Sequence, residues 1–146
     1  MARLVIIVAV GLLLIGGVSN LWHPGALEEY LATRVTWRAA IVIPLARGIA
    51  VIEIGTGLAL CLRFPGAAAM AAAVFLAYVV VHTYELVKVT PLGCPCVAGS
   101  GSALLPPRLV HATLGATCAV LCVGLLSIWL RWANEPAKEI ANVQVR

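Results

Sequence analysis

Four long apolar runs divide the chain, at about residues 4–21, 39–62, 66–89 and 109–130, with polar residues gathered between and after them. A run of about 20 apolar residues crosses a bilayer as a helix, because a helix satisfies its own backbone donors and acceptors. Residues 1–132 are therefore predicted to form one domain, an all-α integral membrane four-helix bundle with antiparallel spans. Pro65-Gly66 gives the second and third runs a tight connection, as expected for neighbouring antiparallel helices. The more polar stretch 23–38 is predicted to lie outside the bundle as a short interfacial helix or loop, and 133–146 reads as a polar C-terminal tail. Trp22, Trp37, Trp129 and Trp132 fall at run ends, where aromatic belts form. Ala67, Ala68, Ala69, Ala71, Ala72 and Ala73 open the third run, and Gly48, Gly55 and Gly57 punctuate the second. Small residues at these places predict close helix–helix contact.

Composition strengthens the membrane reading. Of 146 residues, 62% are hydrophobic and 11% charged, and the mean hydropathy is +1.04. Soluble domains carry roughly a quarter charged residues. The net charge of +4 is spread thinly with no lysine/arginine run, so nucleic acid is not an expected partner. Arg3, the apolar stretch after it and Gly17-Val18-Ser19 also fit a cleavable signal. A retained first helix is preferred, since its removal leaves three spans. With four spans, Arg3, Arg63, Arg131, Lys138 and Arg146 share one side, and Arg34, Arg38, Lys88 and Arg108 the other. The positive-inside rule then places the termini in the cytoplasm and the loop before the fourth span outside it.

That loop holds Gly93-Cys94-Pro95-Cys96. A disulfide between residues i and i+2 closes a small strained ring, and strain makes such a bond a ready oxidant. The compartment outside the cytoplasm allows disulfides to persist. The same pair also suits a static loop staple or a soft-metal site for copper(I) or zinc. Cys118 and Cys122 are expected to be buried fillers, and Cys61 lies at the opposite face. None of the three is expected to take part in chemistry.

Ionisable residues inside spans are expensive and point to function by default. Arg47 and Glu53 lie in the second run, His82 and Glu85 in the third, and Arg108 and His111 at the start of the fourth. Tyr78, His82 and Glu85 share one helical face. His111, Gly115, Cys118 and Cys122 form another stripe. A bundle lined in this way suits a polar-headed apolar molecule such as a quinone, with His or Glu handling its protons. The plainer account is a structural network of helix-end histidines. Arg47 and Glu53 stand about 120° apart around their helix, which makes direct pairing awkward.

Taken in order, these residues resemble the DoxX-like membrane family, in its MauE (methylamine-utilisation) branch. Gly11-x5-Gly17-x2-Asn20-Leu21-x2-Pro24 is similar to that family's first span and exit. Arg47-x5-Glu53-x3-Gly57-x2-Leu60 resembles its acid-containing second helix. Cys94-Pro95-Cys96-Val97-Ala98-Gly99 followed by Arg108 resembles its Cys-x-Cys loop. The chain departs from the pattern at Asn20, where a lysine is common. Pro95 and Val97-Ala98 replace a glycine and an aromatic, and Leu109-Val110-His111 follows Arg108 where Arg-Asn is usual.

The resemblance implies a bacterial inner-membrane protein serving thiol redox outside the cytoplasm. On that reading Cys94 and Cys96 form a redox-active disulfide. They exchange with a periplasmic thioredoxin-like or quinoprotein-type partner and relay electrons to a quinone in the bundle. His82, Glu85 and Glu53 are the expected proton-handling groups. Arg108, Lys88 or His111 would lower a thiol pKa if close. Two other classes stay open. One is a non-catalytic assembly or anchoring subunit. The other is a soft-metal handler with Cys94, Cys96, His82 and His111 as ligands.

Overall fold

The computed structural model describes residues 2–35, 39–88 and 106–144. Five helices follow one another: α1 (Ala2–Trp22), α2 (Gly25–Val35), α3 (Ala39–Cys61), α4 (Ala67–Val87) and α5 (Pro107–Gln144). Four of them are long and apolar enough to span a membrane: α1, α3, α4 and the Arg108–Ala133 part of α5. Their ends fall within a few residues of the runs read from the sequence. Large apolar side chains such as Ile7, Ile15, Val80 and Val120 stand on the outside, each at least 61% exposed. Soluble monomers rarely expose apolar surface so widely, whereas a bilayer solvates it.

The helices pack as two tight antiparallel pairs, α1 with α3 and α4 with α5. Slighter α3–α4 and α1–α5 contacts close the ring. The pairing faces follow helical periodicity. Ala9, Leu13, Gly17 and Asn20 are the buried positions of α1, at near-whole-turn spacing. On α4 they are Ala67, Ala68, Ala71, Ala72, Phe75, His82 and Glu85. These inward residues divide by depth. A dry cluster of Ala9, Leu13, Leu60, Phe75, Leu121 and Leu125, filled out by the α4 alanines, occupies the end where α3 turns into α4. The buried polar residues lie toward the other end.

The α3–α4 connection is built as the Pro65-Gly66 turn predicts. Phe64 N–H donates to Ala59 O at 3.0 Å and Arg63 N–H to Leu60 O at 3.2 Å, the paired bonds of a Schellman helix end. The left-handed position of that motif is Arg63, with φ 56°, and Gly66 has φ 81°. Glycine is the residue such a position favours, since a side chain there costs about 1–2 kcal/mol. Arg63→Gly is therefore expected to stabilise the bundle by about 0.5–1 kcal/mol after the extra freedom of the unfolded chain is subtracted. A denaturant titration in detergent reads it, and an unchanged or lowered midpoint contradicts it.

Two expectations are refined. Stretch 23–38 contains a helix, α2, which packs on α3 through Leu27 and Leu31 against Val42 and Ala46. Residues 133–144 continue α5 without a break, so that helix runs 38 residues, roughly 57 Å at 1.5 Å per residue. One expectation is corrected. Gly48 and Gly55 do not mediate helix contact, for a Cβ built on either meets nothing within 4 Å. Close approach falls instead to Gly57, against Leu13 and Leu14, and to Gly17 on α1.

Candidate buried polar site

Small residues fix the register of α1 on α3, and that register brings the first polar pair together. A Cβ on Gly17 would lie 2.7 Å from Ile54 Cγ1, 2.9 Å from Ala50 O and 3.0 Å from Glu53 Cβ. With glycine there the helices close, and Asn20 Nδ2 donates to Glu53 Oε2 at 3.2 Å. Both residues are 1% exposed. Thr56, one turn along α3, is buried as deeply. Among the described residues, Asn20 Oδ1, Glu53 Oε1 and Thr56 Oγ1 find no hydrogen-bond partner.

The second pair spans α4 and α5. His82 and His111 are buried, with their Nδ1 atoms 3.0 Å apart and ring centroids 5.2 Å apart. Two Nδ1 atoms at that distance share one proton, so one ring donates there and the other accepts. Gly115 lets α5 come this close, since its Cβ would stand 3.2 Å from His82 Cβ. Glu85, one turn further along α4, is fully buried. Tyr78 stacks on His82 with ring centroids 6.4 Å apart and planes inclined at 29°.

Tyr78 links the two pairs. It lines a cavity of about 390 Å³ between α2, α3 and α4, with Asn20 and Glu53 in its wall. It also lines a smaller one of about 140 Å³ between α1, α4 and α5, with His82 and Cys118. The larger cavity occupies the slighter α3–α4 seam. Leu27, Tyr30 and Leu31 of α2 cover it, and the exposed residues Ile52, Ala73 and Ala77 edge it on the outside. An apolar ligand thus has a route in from the surrounding hydrocarbon.

The sequence-predicted residues divide accordingly. Glu53, His82, Glu85 and His111 all turn inward, and the Tyr78–His82–Glu85 face meets the His111–Gly115–Cys118–Cys122 stripe. Arg47 does not join them. It is exposed, and the α1–α3 register sets it level with His23 and Pro24, at the end of α1. Glu53 takes Asn20 as its partner. Arg108 is exposed too, and its guanidinium reaches Lys88 O at 3.5 Å. The chain therefore leaves α4 and enters α5 side by side. Lys88 Nζ rests 4.5 Å over the Tyr84 ring. Cys94 and Cys96 lie outside the described residues. Cys118 and Cys122 are buried among the core side chains, as expected, and Cys61 is exposed.

Sequence reasoning did not place Asn20, Thr56 or the α2 residues in the site. A signal for the first two existed: Gly17 and Asn20 lie three apart on α1, as do Glu53 and Thr56 on α3, which presents each pair on one face. Among the described residues, no three His, Cys, Asp or Glu side chains converge as a metal site requires. No family model matches the chain, and neither does any curated protein or solved structure.

Proposed function

We propose that this chain is a multi-pass thiol–disulfide oxidoreductase of the bacterial inner membrane. Its termini are cytoplasmic, and its Cys94–Cys96 pair exchanges with dithiols of an exported thioredoxin-like or quinoprotein-type partner. Electrons pass between that pair and a quinone held in the bundle. One observation carries the reading. The bundle end from which residues 89–105 depart contains a buried proton-sharing pair, His82 and His111, and this pair adjoins, through Tyr78, a cavity edged by lipid-facing residues. The resemblance to the MauE branch supports the thiol chemistry.

A partner thiolate attacks the Cys94–Cys96 disulfide, the partner's second thiol displaces the mixed disulfide, and the two cysteines are left as thiols. Re-forming their S–S bond releases two electrons and two protons. Residues lining the α2–α3–α4 cavity, Glu53 and Tyr78 among them, would hold a quinone there, and that group would supply the acceptor for the two electrons and two protons. The chain's own part is to bind, orient and carry protons. A cavity of about 390 Å³ with apolar walls, Asn20 and Glu53 among its lining residues, suits a ring with an apolar tail. The ring nitrogens of His82 and His111 take and return protons one at a time, since their shared Nδ1 contact accommodates one proton.

The test uses full-length protein in liposomes with a small dithiol and a short-chain quinone. Cys94→Ser with Cys96→Ser is expected to reduce quinone-dependent dithiol oxidation to background while the helical circular dichroism is unchanged. Oxidation at the wild-type rate in that double variant overturns the proposal.

A further inference from the structure

The stretch of chain between α4 and α5 carries both Cys94 and Cys96, and residues 89–105 contain no Asp, Glu, Lys, Arg or His. Any charge that greets a partner at those cysteines therefore comes from the bundle end around them. The nearest ionisable groups on either side in sequence, Lys88 and Arg108, stand together there, since the Arg108 guanidinium donates to Lys88 O at 3.5 Å. Cys94 follows Lys88 by six residues, which no chain stretches past about 22 Å.

Neither charge is cancelled locally. Lys88 Nζ lies 4.5 Å over the Tyr84 ring, Arg108 is exposed, and neither pairs with a carboxylate among the described residues. Glu85, one turn inward from Lys88, is fully buried. Arg47, exposed on α3, adds a third cation at this end. Against these α2 sets Glu28 and Glu29 but also brings Arg34, so the end stays net positive. Lys and Arg are ordinarily in excess on the cytoplasmic side of a membrane protein. On the proposed topology, two cations at the ends of an exported segment call for an anionic counterpart. A lipid headgroup could meet such cations anywhere on the rim. Their place at the two ends of the one uncharged segment that holds the thiols favours a protein that comes for the thiols.

We infer that Lys88 and Arg108 form a docking point for an acidic segment of the exported partner, one that presents carboxylates beside its cysteines. The inference rests on the proposed function for what the partner exchanges. Opposite charge speeds the encounter and fixes its orientation, and the same two residues turn away dithiol proteins with basic surroundings.

The experiment uses peptides that cannot exchange thiols, so that it reads docking alone. Two fluorescent peptides of equal length carry a pair of serines flanked by glutamates in one and by lysines in the other. Full-length protein in zwitterionic lipid nanodiscs is expected to bind the acidic peptide roughly tenfold more tightly at low ionic strength. The preference is expected to vanish near 1 M salt, where the screening length falls to about 3 Å. Lys88→Glu with Arg108→Glu is expected to reverse it. Arg3→Glu with Arg131→Glu makes the same change in net charge at the opposite end and is expected to preserve it. Equal binding of the two peptides overturns the inference. So does a preference that survives the first double variant, or one that disappears with the second. Stabilisation by phosphatidylglycerol that depends on Lys88 and Arg108, without any peptide preference, also overturns it and assigns the pair to a lipid headgroup. Dithiol oxidation reads the cysteine chemistry separately, so the two can fail independently.

Discussion

Gly17→Ala is expected to destabilise the bundle by about 3 kcal/mol, and Gly17→Leu to prevent its assembly. The added methyl would sit 2.9 Å from a backbone oxygen, Ala50 O, and 2.7 Å from Ile54 Cγ1. Ile54 can change rotamer, but the α3 backbone cannot move without taking the helix with it. Separating α1 from α3 also pulls Asn20 from Glu53 and leaves more buried polar atoms unmatched. Gly11→Ala and Gly55→Ala form the contrast. Both glycines lie in spanning helices, and a Cβ on either meets open space. They are expected to change stability by less than about 0.5 kcal/mol, or to raise it through helix propensity. Denaturant titrations in detergent separate the two classes. Equal costs at Gly11 and Gly17 would show that helix flexibility, and not the α1–α3 contact, governs this position.

The second large effect concerns His82 and His111, and it separates chemistry from packing. His111→Leu is expected to cost about 2 kcal/mol, because it removes the Nδ1 contact of the buried His82. Combining it with His82→Phe removes both ends of the Nδ1 contact, and part of the stability is expected to return, since that contact then leaves no nitrogen unmatched. Activity is expected to behave differently. If the pair carries protons for thiol oxidation, turnover falls on the order of 10²-fold in each single variant and does not recover in the double. Recovery of turnover together with stability would identify the pair as packing alone. Gly115→Val adds an intermediate case. It presses on His82 from α5 while keeping both rings, so it is expected to lower turnover less than either histidine variant.

The spans were legible because a bilayer imposes a length, and four runs of that length stand out from their polar connections. The inward faces of α4 and α5 were legible for a similar reason. The helical repeat alone aligns Tyr78 with His82 and Glu85, and His111 with Gly115 and Cys118. The offset between neighbouring helices is another matter, because periodicity within one helix says nothing about its height beside the next. That offset depends on where a glycine allows contact, and Gly17 rather than Gly48 or Gly55 provides it. Asn20 as the partner of Glu53 follows from the offset, as does the position of Arg47 at the end of α1. The cavity was hidden for a further reason: it reflects how unevenly the four seams close, a property of helix pairs that no single segment contains. The cysteine loop, outside the described residues, is the place of the proposed chemistry, and its tests are those of thiol exchange.

The slighter α3–α4 seam alters how any affinity for this protein is to be expressed. A site entered sideways meets its ligand as a solute of the bilayer, already concentrated there by partitioning. Its occupancy follows the ratio of ligand to lipid, and the aqueous concentration matters only through that ratio. Adding empty vesicles at constant total ligand and volume therefore unloads the site, because ligand redistributes into the added lipid. Two membranes with the same ligand content but different lipid areas give different occupancies of the same protein. Expansion of the membrane alone would lower the fraction bound.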